Sequence, residues 1–507
     1  MKDFVEKNNH KAFLLALIIG VLFAGYGLFL NTTYNCDLLQ NFHYATAQKY
    51  TFKEYFIRRM SGGRGVAIIP YAFYRLLAVM QIHYFSHQWV LQGIALLFLS
   101  VAAYMCMNLY KGYCSEDLRP IEFLTLMLCF VSPAFVEVLC FCGIEQPLAY
   151  LFTIVALNEY LRNHKVRSLI MLLLAISLYQ NYVLVFLILG ITICYLGKEK
   201  GAGFVKYAGM FVVAGLTSIT NIVATKVFCK VYGITEIKAV NTDFRIGSII
   251  SKTQLIFMDY KEALSTGYGY YKPGYVIISA LILLVLSTAI LWYRKKLDKA
   301  LSNILISGLA LLLPPTFMFA MESPYYPLRV QVPLYVSLSM IIMIQLSVIL
   351  NSTYTVAKMF SYAIVGLFFV ITVIRVQTGI ADILIMNKLE FYEVRQIVDE
   401  IADYERTTGN QIEKVKIRKE DNGTGKYDDL YLNIKGGNRT VSQHILGTPW
   451  SDAELLSFIL GREIEREDMS ESEFSAYFDD FDIEKMGKMK LDKLIHIEED
   501  VLYWITV

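Results

Sequence analysis

The chain has 507 residues, 55% of them hydrophobic and 18% charged, with 47 Lys and Arg against 45 Asp and Glu. That balance excludes a soluble globular protein and predicts a mainly α, polytopic membrane helical bundle. The near-neutral total conceals a split: from Lys388 onward there are 16 basic and 27 acidic residues, leaving 31 and 18 for the rest. A basic membrane domain over 1–380 and an acidic soluble domain over 381–507 are therefore expected.

The first apolar stretch, 12–30, holds nineteen uncharged residues, enough to cross a bilayer. It follows Lys2, Lys7 and Lys11, and no small-residue cleavage site closes it, so it reads as a retained helix with a cytoplasmic N-terminus. Asn35-Cys36-Asp37 comes next, then a loop carrying Tyr44, Lys49, Tyr50, Phe52, Arg58, Arg59 and Arg64. A lone aspartate there also fits a helix-end cap, and interfacial arginines also grip lipid headgroups. Arginine forks nonetheless match phosphate oxygens, and Gly62-Gly63 lets backbone N–H groups approach an anion closely.

Further apolar stretches lie near 66–82, 88–109, 121–141, 147–161, 168–180, 181–196, 204–222, 273–293, 301–320, 331–350 and 358–377. Basic clusters at Arg162/Lys165/Arg167, Lys198/Lys200/Lys206 and Arg294/Lys295/Lys296/Lys299 are cytoplasmic by the positive-inside rule. They stay so only if 66–82, with Arg64 at its head, Pro70 and Arg75, lies in the interface, one of the interfacial helices expected within 31–87. The same parity makes 168–196 turn back at Tyr179-Gln180-Asn181-Tyr182, polar backbone that must line a cavity. About eleven crossings result, with the C-terminal domain extracytoplasmic.

After the last span, 383–406 has helical spacing, Lys414–Lys419 and 430–434 alternate as strands, and 501–507 reads as a closing strand. Ser451 with Glu454 at the capping-box position predicts a helix start. The soluble domain is thus small and α/β.

Glu137 lies inside the stretch 121–141, and Glu145 follows it in Gly143-Ile144-Glu145-Gln146-Pro147. Ionisable groups at membrane depth are site candidates, although an internal hydrogen bond or a helix-start charge also accounts for them. Arg329, after Tyr325-Tyr326-Pro327, fits a snorkelling anchor or a second phosphate ligand beside aromatic sugar-stacking surfaces. Asp480-Phe481-Asp482 reads as a solvated acidic face, and His83/His87 as interfacial, so no metal or other cofactor is expected. The cysteines end at Cys229, and the sequons at Asn31, Asn422 and Asn438 are short enough to be chance. No P-loop, Rossmann fingerprint or nucleophile elbow occurs, and nucleic acid is not an expected partner.

The order of these features resembles the membrane glycosyltransferases of the C-type fold: a first span, an outer acid, then Ser61-Gly62-Gly63-Arg64 before a Pro-bearing interfacial helix. Gly63-Arg64 with Pro70, Ser132-Pro133 with Glu137, and Ser177-Leu178-Tyr179-Gln180 resemble more narrowly the bacterial type II Gtr glucosyltransferases of O-antigen modification. The resemblance implies a polyprenyl-phosphate-linked sugar donor, typically glucose, a surface-glycan acceptor such as O-antigen, and a location in the cytoplasmic membrane among its lipids. It implies Asp37 as the general base of an inverting transfer, with Arg58, Arg59, Arg64 and Arg329 on the departing phosphate and Tyr179 and Gln180 on the sugar. A second acid, expected in many C-type enzymes, is Glu137 or Glu145. A lipid-linked-glycan translocase and a surface-glycan polymerase or ligase remain alternatives. The lack of an internal repeat and the polar residues clustered at span ends favour the transferase.

Overall fold

The computed structural model describes residues 11, 14–20, 52–80, 88–114, 118–140, 143–197, 204–234, 246–265, 274–320, 328–419, 445–446, 451–482 and 491–506. Asp37, His83, His87, the 430–434 strand and the sequons Asn31, Asn422 and Asn438 lie outside the described residues. The chain divides into two compact units, one containing Tyr50–Gly267 and Tyr271–Gln377, the other containing Thr378–Val507.

In the first unit, residues 14–20 are helical, and helix α1 (Phe52–Ser61) leads through a tight turn at Gly65–Ala67 into α2 (Ile68–Val79). At 1.5 Å per residue α2 is about 18 Å long, well short of the ~30 Å hydrocarbon layer, which suits an interfacial helix. Helix α3 (Gln88–Tyr113) carries Lys111 in its last turn, where the helix dipole favours a cation.

The expected continuous span 121–141 is corrected by the structure. It is two short helices, α4 (Pro120–Met127) and α5 (Pro133–Cys140). Pro120 sits in the first turn of α4, where Glu122 accepts a hydrogen bond from the Arg119 backbone N–H at 3.0 Å. Pro133 lacks an N–H and disfavours helical geometry at Ser132, so the helix breaks before it and restarts. Helix α6 (Glu145–Leu161) is followed by α7 (Lys165–Ile176) and α8 (Tyr182–Leu196), which part at residues 177–181, around the expected turn.

Helix α9 (Phe204–Tyr232) runs ten residues past the expected end at 222. Helix α10 (Ile246–Ser265), in what the sequence presents as a loop, is a further addition. Then come α11 (Gly274–Tyr293), α12 (Leu297–Leu312) with a tight continuation at Pro314–Ala320, and α13 (Val332–Leu350). The span 358–377 and the helix 383–406 are one 54-residue helix, α14 (Thr355–Thr408), so the predicted boundary at 380 falls within a helix.

Among the described residues, five helices are long and apolar enough to cross a membrane: α3, α9, α12 with its continuation, α13 and α14. The unit is thus a helical assembly of membrane type. Helix α13 is buried along nearly its whole length, and α8, α11 and α12 pack on it. Its Gln345 is satisfied at depth, accepting from Ser287 Oγ at 2.6 Å and donating to Ser307 Oγ at 2.9 Å.

The second unit holds a four-stranded sheet of β1 (Lys414–Lys419), β2 (Glu465–Asp468), β3 (Ile495–Glu498) and β4 (Val501–Thr506), in the order β2-β1-β4-β3. Strand β1 pairs in parallel with β2 and β4, and β3 and β4 are antiparallel. The basic strand β1 faces many of the tail's acids: Lys414 meets Glu467 at 3.0 Å, Lys416 meets Glu473, and Arg418 meets Glu471. Helix α15 (Asp452–Leu460) starts at Ser451 as expected, but the predicted capping box is not formed. The Ser451 hydroxyl donates to the Ile445 carbonyl instead. The capping box stands at Ser470 and Glu473, ahead of α16 (Glu471–Tyr477). Asp480 is exposed, as expected, while Phe481 packs against the domain core.

Candidate functional site

Helix α1 ends in a Schellman motif. The Gly63 N–H donates to the Met60 carbonyl at 2.9 Å and the Arg64 N–H to the Arg59 carbonyl at 2.8 Å. Gly63 takes φ +70°, which favours glycine, and a Cβ there would lie 2.9 Å from Gln180 Nε2. Both the backbone conformation and the close neighbour thus select the glycine that precedes Arg64.

The turn sits on the interruption between α7 and α8. Gln180 Nε2 donates to the Gly62 carbonyl at 2.8 Å, and Asn221 Nδ2, from α9, donates to the Gly63 carbonyl at 3.2 Å. The Val66 N–H donates to the Ser177 carbonyl at 3.3 Å. Residues 177–181 contain neither glycine nor proline. Their unwound backbone and side chains are instead engaged by distant partners: Asn181 Nδ2 donates to the Val330 carbonyl at 3.0 Å.

Arg64 emerges from this seat with its guanidinium over the Tyr179 ring, 4.5 Å from the centroid. The residue keeps partial exposure, yet its Nε is enclosed and has no hydrogen-bond partner among the described residues. Burial pulls the guanidinium below its usual range, Arg59 and Arg329 act in the same direction, and Tyr179 and Glu145 oppose them. An enclosed cation with cationic neighbours and an unused donor is chemically suited to an anionic group.

The flanking groups are held by their own partners. Arg59 Nε donates to Tyr55 Oη at 2.8 Å, and the Tyr55 ring stacks on Tyr71 with centroids 3.7 Å apart. The Glu145 carboxylate accepts from Tyr74 Oη at 3.3 Å, and Tyr74 Oη accepts the Ile144 N–H at 3.2 Å. Glu137, 1% exposed, takes the Arg329 backbone N–H on one oxygen and the guanidinium on the other, both at 2.6 Å. This clamp ties α5 to the turn Leu328–Val330 ahead of α13.

Of the residues expected from sequence, Arg59, Arg64, Arg329, Glu145 and Tyr179 share one electrostatic neighbourhood, and Glu137 joins it through Arg329. Gln180 spends its amide N–H on the turn beneath Arg64. Arg58 is exposed on α1, and Asp37 lies outside the described residues. Sequence reasoning missed Asn221, Tyr55 and Tyr74; the signal for Asn221 was a carboxamide within an apolar helix. Among the described residues, no group of three or more His, Cys, Asp or Glu side chains could hold a metal ion.

A small apolar cleft lies elsewhere in this unit, against Ala103, Phe135 and Leu139. Phe135 and Leu139 are each two residues from Glu137, so on a helix they share the face opposite it. With no cation in its lining, the cleft suits hydrocarbon and not an anion.

No family model matches this chain, and neither a curated protein nor a solved structure matches it.

Proposed function

We propose that the chain is an integral-membrane glycosyltransferase that moves a sugar, glucose by the resemblance, from a polyprenyl-phosphate carrier to a surface-glycan acceptor. The observation that carries the reading is the enclosed Arg64 guanidinium, with an unpartnered Nε and with Arg59 and Arg329 as neighbours. A phosphodiester donor brings one negative charge to Arg64. When the bond from the anomeric carbon to the phosphate oxygen breaks, the departing lipid phosphate holds the electron pair and its charge grows towards two. A fixed guanidinium therefore binds the transition state more tightly than the ground state. The acceptor hydroxyl attacks from the opposite face and loses its proton to Asp37, the base carried from the sequence. Glu145 is the second acid of this reading.

The test is transfer from polyprenyl-phosphoglucose to the surface glycan by cells or membranes carrying Arg64→Ala. A lost charge-assisted contact is worth roughly 1.5–3 kcal/mol, so transfer is expected to fall about 10- to 150-fold. Arg64→Lys recovers only part of it, because an ammonium lacks the planar fork that stacks on Tyr179. Wild-type transfer by Arg64→Ala rejects the reading.

The same reading has an extracytoplasmic C-terminal domain, from the parity of loop charges and the short α2. A reporter active only in the cytoplasm, fused after Val507, is expected to stay silent. Strong activity there rejects both the orientation and an outer active site.

A further inference from the structure

A carboxamide in an apolar helix is costly unless both of its ends are used. Asn221, on the candidate span α9, uses both. Its Oδ1 accepts from Ser177 Oγ at 3.2 Å, and its Nδ2 donates to the Gly63 carbonyl at 3.2 Å. Thr225, one turn later, donates its hydroxyl to the Asn221 carbonyl at 2.8 Å. A Cβ on Gly63 would come within 3.3 Å of Asn221 Nδ2, so the amide lies directly against the turn.

These contacts bracket Arg64 along the chain. The Gly62 and Gly63 carbonyls before it are held by Gln180 and Asn221, and the Val66 N–H after it is held by the Ser177 carbonyl. Ser177 serves twice, through its backbone to Val66 and through its hydroxyl to Asn221. Neutral groups make all of these bonds, so the backbone under Arg64 is fixed without neutralising its charge.

We infer that Asn221 is a positioning residue: it touches no substrate, and by holding the Gly63 carbonyl it sets where the Arg64 guanidinium meets the anion. The inference rests on the reading that Arg64 receives the lipid phosphate. Gln180 holds the neighbouring carbonyl, while Asn221 links the turn, the α7–α8 interruption and α9.

The test is a double-mutant cycle on the full chain in maltoside micelles, titrated with farnesyl phosphate, with thermal unfolding recorded for each variant. Arg64→Ala is expected to weaken binding about 10- to 150-fold. Asn221→Ala is expected to weaken it about five- to tenfold, because the guanidinium is no longer held in place. The double variant should bind no worse than Arg64→Ala alone, since a displaced Arg64 has no further effect once Arg64 is gone. A merely structural Asn221 lowers the unfolding temperature without that non-additivity. Should Asn221→Ala not fold, Ser177→Ala releases the Asn221 amide more gently and is expected to weaken binding in the same direction.

Penalties that add, or wild-type affinity in a folded Asn221→Ala chain beside a weakened Arg64→Ala chain, overturn the positioning role alone. Wild-type affinity in Arg64→Ala overturns the proposed function together with it. Because the readout is binding, the cycle is legible whichever sugar or acceptor the chain uses.

Discussion

Asp37→Asn is expected to lose about 10²–10⁴-fold of sugar transfer while the chain still inserts and folds, the usual consequence of removing a positioned general base. Asp37 is the first acid after the first apolar stretch and precedes the arginine-bearing helix α1. The amide keeps the size of the carboxylate and one acceptor oxygen, but it cannot take up the acceptor's proton at useful basicity. The measurement is transfer to the surface glycan per amount of membrane-inserted chain. Near-normal transfer removes Asp37 from the role, and the two glutamates are then not equivalent replacements. Both oxygens of Glu137 are occupied by Arg329, at 2.6 Å each. Glu145 accepts the longer 3.3 Å bond from Tyr74 and acts electrostatically on Arg64, so it is the next base to test.

Length and hydropathy made the membrane-type helices legible, alternation made β1 legible, and a short run of β-branched and aromatic residues made β4 legible, because all three patterns are local. The interruption at 177–181 emerged from loop-charge parity, although no breaker residue marks it. The break before Pro133 was missed although the proline marks it, because the length of the apolar stretch 121–141 concealed it. Helix α10 escaped because its apolar positions are interspersed with Lys252, Asp259 and Lys261. The cap at Ser451 failed for a tertiary reason, since the hydroxyl found the Ile445 carbonyl instead.

In the site, the chemistry of Arg64 and Glu145 was visible as residue type, but their assembly was not. Arg329 and Glu137 are 192 positions apart, and Asn221 and Gly63 are 158 apart. No periodicity encodes such pairs. They follow only once the broken helices bring unwound backbone together and its polar groups must find partners.

Glu137→Ala carries the other large expected effect, a destabilisation of about 3–5 kcal/mol, because it removes a buried carboxylate that is ion-paired and hydrogen-bonded to Arg329. The Glu137 side chain is 1% exposed and that of Arg329 20%, so water replaces little of what the carboxylate supplies. The carboxylate also holds the Arg329 backbone N–H, so its loss loosens the entry to α13, a helix buried along nearly its whole length. Glu137→Gln keeps one acceptor and the side-chain shape, and should lose less. The informative variant replaces both partners, Glu137→Leu with Arg329→Met. With both members of the buried pair replaced by apolar side chains of similar volume, stability should return towards wild type. Transfer should not return, because in the proposed function Arg329 acts with Arg59 and Arg64 on the lipid phosphate. Thermal unfolding in detergent and sugar transfer, measured on the same preparations, separate the two effects. A Glu137→Ala chain within about 1 kcal/mol of wild type, or a double variant restored in both stability and transfer, contradicts the clamp's part in the site.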